Sequence, residues 1–429
     1  MFKTLKNLIK NKEVRKRIYF TLLIFAIYRY GCLLTLPGID KTAVTISSDS
    51  VFSIMNLLGG GALSNFSIFA LGVGPYITAS IIIQLLSMDV IPTFSDWRNE
   101  GEKGRKKSER ATRYLGVVLA IIQGFSIVYG FDKQYGILGS DATYRTYIFV
   151  VSMLVAGTML ITWLADQITI KGIGNGMSMI IFAGIVAELP SKFFANFSNT
   201  VIAAIGTEQL TQGIIHFIGF VLIYLFLIFA VTLVESAERR IHIQNSKATF
   251  ANGSNNSYLP IKINAAGVIP VIFAQSLITA PQVIVSFFSY STYSTMSSAL
   301  SLSTNLGLGL YCFLTFVFTF FYTAMVMNAT DMSDNLKKQG SYIPNVRPGK
   351  DTENYLKLYI KRTTLIGAIG LTAIAALPYV LAKFATVTST TALGGTGIIV
   401  CVGVAVETIY FLEAMQTEHK YSNGLGFRK

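Results

Sequence analysis

VFSIMNLLGGGALSNFSIFALGVGPYITASIIIQLLSMDVI, residues 51–91, is a largely apolar stretch of 41 residues, too long for one membrane crossing and too short for two with a turn. A helix crosses about 30 Å of hydrocarbon with roughly 20 apolar residues. Gly59, Gly60, Gly61, Gly72, Gly74 and Pro75 interrupt the stretch. The economical reading is a half-helix near Phe52–Phe69 that enters from outside without crossing, followed by a full span from about Leu71. Irregular backbone at membrane depth survives only when buried in protein or lining an aqueous cavity. Such an element therefore belongs inside a central vestibule; the alternative is a helix lying on the outer membrane surface.

The rest of the chain supports a membrane setting. Of its 429 residues 52% are hydrophobic and only 13% charged, with a mean hydropathy of +0.54, where a soluble domain carries about a quarter charged. Ten apolar runs are span-length: Ile18–Leu36, Ala70–Ile91, Tyr114–Phe131, Tyr147–Leu164, Gly174–Leu189, Ile214–Val234, Ala265–Phe288, Leu306–Met327, Thr363–Leu381 and Leu393–Leu412. The fold class is therefore all-α membrane protein. No cleaved signal peptide is expected, because the run after the basic tail lacks a small-residue cleavage site. Placing both termini and the even-numbered loops on one side assigns 29 of the 35 Lys and Arg to that side. The positive-inside rule makes it the cytoplasm, so part of the +13 charge is topological.

Several chemistries are excluded. Cys32, Cys312 and Cys401 lie inside apolar runs and are expected as buried free thiols. No Cys/His spacing suggests a metal, and no cofactor or catalytic constellation is visible; His216, His242 and His419 are scattered. Gly172-Ile173-Gly174-Asn175-Gly176 follows no strand and reads as a flexible hinge at a span end, and Gly59-Gly60-Gly61 lacks the Gly-Lys-Ser/Thr of a phosphate loop. Asp89, Asp166, Glu235, Glu407 and Glu413 sit near the cytoplasmic boundary. An ion-coupled secondary transporter, the runner-up reading, needs ionisable groups near the midplane. Arg29 is the basic residue well inside a run, where it snorkels outward or contacts backbone carbonyls.

Two long inner loops, Glu235–Lys262 and Asp331–Arg362, are polar and basic, and a third basic cluster spans Arg98–Arg113. Pro344, Pro348 and Gly349 fix a bent tip around Arg347, whose planar guanidinium suits bidentate contact with carboxylate or phosphate. These clusters suit a large anionic partner: an acidic protein surface, ribosomal RNA or lipid headgroups.

Seven blocks carry a family likeness: GGALSNFSIFALGVGPYITASIIIQLL (60–86), EGEKGRKKSERATRYLG (100–116), QITIKGIGNGMSMIIFAGIVAELP (167–190), ERRIHIQNSK (238–247), LPIKINAAGVIPVIFAQS (259–276), DNLKKQGSYIPNVRPGKDTENYL (334–356) and GGTGIIVCVGVAVETI (394–409). In this order and spacing the chain resembles bacterial SecY, the channel subunit of the Sec protein translocase. The resemblance implies two pseudo-symmetric inverted halves, 18–190 and 214–412, around an hourglass pore. They would be joined by an external connection, 191–213, and flanked by cytoplasmic tails, 1–17 and 413–429. It implies a pore ring of Val73, Ile77, Met177, Ile181, Ile272 and Val400. The plug would cover about Ile54–Asn65, including Met55, Leu57, Leu58, Gly60 and Leu63. A lateral gate between spans two and seven would be held by polar contacts of Thr78, Ser80 and Gln84 with Gln275 and Ser276.

The resemblance also implies docking of the SecA motor ATPase or the ribosome through Arg239, Arg240, Lys247, Arg347 and Lys350. SecE-like and SecG-like small membrane subunits are implied partners. The function implied is a passive conduit in the bacterial plasma membrane for unfolded secretory polypeptides, with lateral release of hydrophobic segments into membrane lipid. Beyond Lys247 the chain reads ATFANGSNNSY where relatives carry more basic residues, which weakens the contact expected of that loop.

Overall fold

The structure is a computed structural model that describes residues 12–39, 55–57, 59–87, 91–138, 143–205, 210–245, 257–285, 299–302, 304–384 and 389–424. Twelve longer helices and a small sheet organise these residues: α1 (Lys12–Leu33), α2 (Gly74–Leu86), α3 (Pro92–Asn99), α4 (Glu102–Tyr135), α5 (Tyr144–Lys171), α6 (Gly176–Thr200), α7 (Leu210–Ser236), β1 (Glu238–Asn245), β2 (Ser257–Lys262), α8 (Ile269–Val285), α9 (Asn305–Val326), α10 (Ala329–Lys338), β3 (Ser341–Tyr342), α11 (Lys350–Phe384) and α12 (Ser389–Gly424). Each of the ten apolar runs overlaps a helix. Among the described residues seven helices are long and apolar enough to cross a membrane, and Gly74–Leu86 and Ile269–Thr279 are shorter apolar helices.

Helix α7 shows why these elements suit a bilayer. Phe220, Tyr224, Leu227, Val231 and Glu235 form its buried stripe, while Leu222, Leu225, Phe226, Phe229 and Leu233 are exposed on the other face. A helix apolar all round has no face for water. Several threonine hydroxyls are satisfied within their own helices: Thr158, Thr162, Thr319 and Thr323 each donate to the carbonyl four residues back.

Several expectations are corrected. The half-helix expected near Phe52–Phe69 does not extend past Gly59: Met55–Leu57 are helical, and turns run from Gly59 to Val73. Gly60, Gly61, Phe66 and Gly72 all have positive φ, which a right-handed helix excludes. The second apolar run yields a helix of only 13 residues, about 20 Å long at 1.5 Å per residue, because Gly74-Pro75 sets its start. Helix α6 continues through Pro190 to Thr200, so much of the expected 191–213 connection is helical. The Arg98–Arg113 cluster is no loop; most of it forms the first turns of α4. The Glu235–Lys262 loop is a hairpin, with β1 central in a β2-β1-β3 sheet and Glu238 opposite Lys262. Cys32 is buried, but Cys312 and Cys401 are only half-buried; all three are free thiols.

The glycine-rich segment 172–176 is a packed turn, not a loose hinge. Ile173 N donates to Thr21 Oγ1 at 3.3 Å, Gly176 N to Thr169 Oγ1 at 2.9 Å, and Met177 N to Asn175 Oδ1 at 3.0 Å, which caps α6. A Cβ on Gly176 would lie 1.8 Å from the Ala165 carbonyl oxygen. Since backbone cannot move aside as a side chain does, Gly176→Ala should cost about 1–3 kcal/mol by overpacking. A lowered thermal inactivation midpoint of the purified protein measures it; an unchanged midpoint would mean that α5 and α6 part freely.

Candidate functional site

The six ring residues come from four places in the fold: Val73 just before α2 and Ile77 within it, Met177 and Ile181 on α6, Ile272 on α8 and Val400 on α12. They meet in one apolar cluster. Val73, Ile181, Ile272 and Val400 are buried there, with Ile77 and Met177 packed against them. A cavity of about 500 Å³ ends on this cluster: Ile77, Met177, Ile181 and Ile272 line it. Its charged lining residues, Arg105, Glu109, Arg113 and Asp166, lie on the first turns of α4 and near the end of α5. Arg113 and Asp166 pair at 2.7 Å across those two helices. Ile269 and Tyr322 line both this cavity and a smaller one at the base of the hairpin, so the two adjoin.

The turn-built segment packs into the same cluster. Leu57 and Leu63 are buried, Met55 is half-buried, and Ala62 belongs to the same cluster as the ring. Ile54 and Leu58 lie outside the described residues. Gly60 has φ of +66°, and a Cβ there would stand 2.7 Å from the Gly184 Cα on α6. Helix α1 grips the glycines: Tyr28 Oη donates to the Gly59 carbonyl at 3.0 Å, and Arg29 Nη1 to the Gly60 carbonyl at 2.5 Å. Of the two expectations for Arg29, the carbonyl contact is the one observed. Sequence reasoning missed Glu188 on α6, whose Oε1 would lie 2.2 Å from a Cβ on Gly61. Its signal was an acidic residue near the end of an apolar run, and only folding brings it beside the Gly60–Gly61 segment that Arg29 holds.

The two helices expected to form the lateral gate are in contact, and among the described residues no polar tie joins them. Helices α2 and α8 pack together. Thr78 Oγ1 donates to the Gly74 carbonyl and Gln84 Nε2 to Ser80 Oγ, both along α2. Gln84 Oε1 and Gln275 Nε2 are buried with no hydrogen-bond partner among the described residues, and Ser276 makes no side-chain bond across. Apolar neighbours such as Ile81, Leu85, Val271 and Ile278 share one cluster there instead. Small polar side chains in a span satisfy themselves locally more cheaply than across an interface.

The docking residues divide. Arg347 is exposed at the end of a tight turn, with Asn345 at φ 64° and Gly349 at φ 105°. The turn is fixed by Thr352 Oγ1 donating to the Arg347 carbonyl at 2.9 Å and Ser333 Oγ to the Gly349 carbonyl at 3.0 Å. Its guanidinium has no partner among the described residues. Arg239 and Lys350 are also exposed. Arg240 is already engaged, donating to Glu238 at 2.8 Å and lying 4.7 Å from the Tyr258 ring centre; the Glu238 contact raises its pKa above the ordinary value. Lys247 lies outside the described residues.

The family model for SecY matches residues 67–409. The chain belongs to the SecY family. Protein translocase subunit SecY 1 of Lactobacillus kefiranofaciens subsp. kefiranofaciens is 42% identical over 98% of this chain and 99% of its own length. Protein translocase subunit SecY of Staphylococcus carnosus is 40% identical over the whole of both chains. Among solved structures, one described as "The structure of a protein conducting channel" superposes with a TM-score of 0.68 at 18% identity, covering 95% of this chain and 94% of that one. "Sec61 in the Canine ribosome-channel complex from the endoplasmic reticulum" gives 0.65 at 17%, with the same coverage. These place the SecY-family chain in the channel fold.

Proposed function

We infer that this chain is the protein-conducting channel of a translocase, a multi-pass plasma-membrane protein and not an enzyme. One observation carries the reading: residues from four separate elements close an uncharged aliphatic floor beneath an open vestibule. Such a constriction gates by dewetting. Aliphatic side chains bind no particular sequence, so an unfolded polypeptide passes while ions meet a dry barrier. A secondary transporter would need a polar substrate site at that depth, and the charged residues lining the cavity belong to helix ends at its mouth.

In this reading the ring is Val73, Ile77, Met177, Ile181, Ile272 and Val400, and the turn-built segment around Gly60 is the plug. The seam between α2 and α8 is the lateral exit. Both termini and the hairpin face the cytoplasm, as the 29-to-6 distribution of Lys and Arg supports. Arg239, Arg347 and Lys350 receive the SecA motor or a ribosome, and small SecE-like and SecG-like subunits brace the two halves. The ribosome-channel description of the canine relative supports the ribosome as a partner.

The test is chemical. In a variant whose Cys32, Cys312 and Cys401 are serine, cysteine at Ile77 or Ile272 should cross-link to an arrested secretory chain, whereas cysteine at exposed Phe229 on α7 should not. Adducts at Ile77 and Ile272 no more frequent than at Phe229 would remove them from the path.

A further inference from the structure

The start of α8 is held by a buried polar node that neither the ring nor the docking surface uses. Asn264 is 2% exposed, in the turn between β2 and α8. Its Nδ2 donates to Glu235 Oε1, on the last turn of α7, at 2.8 Å and to the Gly267 carbonyl at 2.9 Å. Glu235 is itself 8% exposed. Immediately before Asn264, Ile263 N donates to the Ala237 carbonyl at 2.9 Å, closing the base of the hairpin. Lys262, the last residue of β2, places Nζ 4.4 Å from the Tyr410 ring centre on α12. A cavity of about 200 Å³ adjoins the node, lined by Glu235, Lys262, Asn264, Tyr322 and Glu407 among others.

The path from this node to the ring is short. Val268 follows Gly267, and its carbonyl accepts from Ile272 N at 3.4 Å, so the ring residue hangs from the turn that Asn264 fastens. α12, touched through Tyr410, carries Val400. A buried hydrogen bond to a carboxylate is among the stronger ones available, and losing one partner strands the other. The adjoining cavity gives these side chains space for a second arrangement, which a two-state coupling element needs.

We propose that Asn264 is a positioning residue that couples the docking hairpin to the pore: its paired bonds to Glu235 and Gly267 make the hairpin, the end of α7 and the ring-bearing start of α8 move as one body. The proposal rests on the hairpin's docking role. Pulling on the hairpin then displaces Ile272 and the α8 side of the seam; without the node the same pull is absorbed in the turn.

The test uses the full chain with its membrane subunits in proteoliposomes, purified SecA and one secretory substrate, reading SecA affinity and transport rate per bound SecA separately. Asn264→Ala should leave affinity unchanged and lower the rate per bound SecA by about tenfold, within the usual range of coupling between sites. Glu235→Gln keeps an acceptor oxygen for Asn264 Nδ2 and leaves the Gly267 bond in place, and should retain most of the rate. A wild-type rate for Asn264→Ala, or a tenfold loss for Glu235→Gln, would overturn the coupling. Failure of the docking reading is separate: it shows as unchanged SecA affinity when Arg239 and Arg347 are both made Glu.

Discussion

Replacing Gly60 with valine should raise the resting ion conductance of the reconstituted channel by roughly tenfold or more, the population change that a loss of about 1.4 kcal/mol from the closed plug produces. Two terms exceed that loss together. A β-branched residue at φ +66° bears left-handed strain of about 1–2 kcal/mol. Its Cβ would also stand 2.7 Å from the Gly184 Cα, an atom that no rotamer change can move. The segment must lift away from α6, taking the Gly59 and Gly60 carbonyls from Tyr28 and Arg29. Arg29→Ala breaks one of those ties while leaving the glycine segment intact, and should give a rise of the same order in the same measurement, since a charged hydrogen bond contributes about 1.5–3 kcal/mol. Planar-bilayer recordings that show no rise for Gly60→Val would mean that this segment does not seal the pore.

The second large effect is expected at Arg347. Charge reversal to glutamate should lower SecA-driven transport by roughly tenfold or more, as removing one member of a buried charged pair at an interface costs about 2–5 kcal/mol. The turn is built independently of the side chain: Thr352 and Ser333 hold its carbonyls, and the guanidinium has no partner among the described residues to lose. The fold of the tip should survive the change. Arg240→Glu should damage the hairpin itself, because Arg240 is bound to Glu238 and Tyr258. Transport at the wild-type rate for Arg347→Glu would leave the tip without a docking role.

Helix positions were readable because spans of some twenty apolar residues announce themselves. The break in the second run was readable from its glycines, but its form was not: positive φ at Gly60, Gly61 and Gly72 turns the chain into coil, and hydropathy is blind to that choice. The ring expectation came from the family likeness alone, since an isolated Ile or Val carries no mark of lining a pore; the fold adds that the six residues meet in one cluster. The polar pairing expected at the seam is not seen among the described residues: Thr78 and Gln84 Nε2 bond along α2, while Gln84 Oε1 and Gln275 Nε2 find no partner there. Glu188 and Asn264 were invisible for a different reason. Their partners, the plug glycines and Glu235, lie far off in sequence, and only the folded chain brings them together.

The seam between α2 and α8 carries one more implication. Its described side-chain hydrogen bonds run lengthwise, so prising the two helices apart breaks none of them, and what is surrendered is chiefly oily contact. Lipid tails, or an incoming greasy segment, return that contact in kind. Sideways departure is then an exchange of like for like, and the traveller most able to unzip this wall is the one that dissolves in what lies behind it.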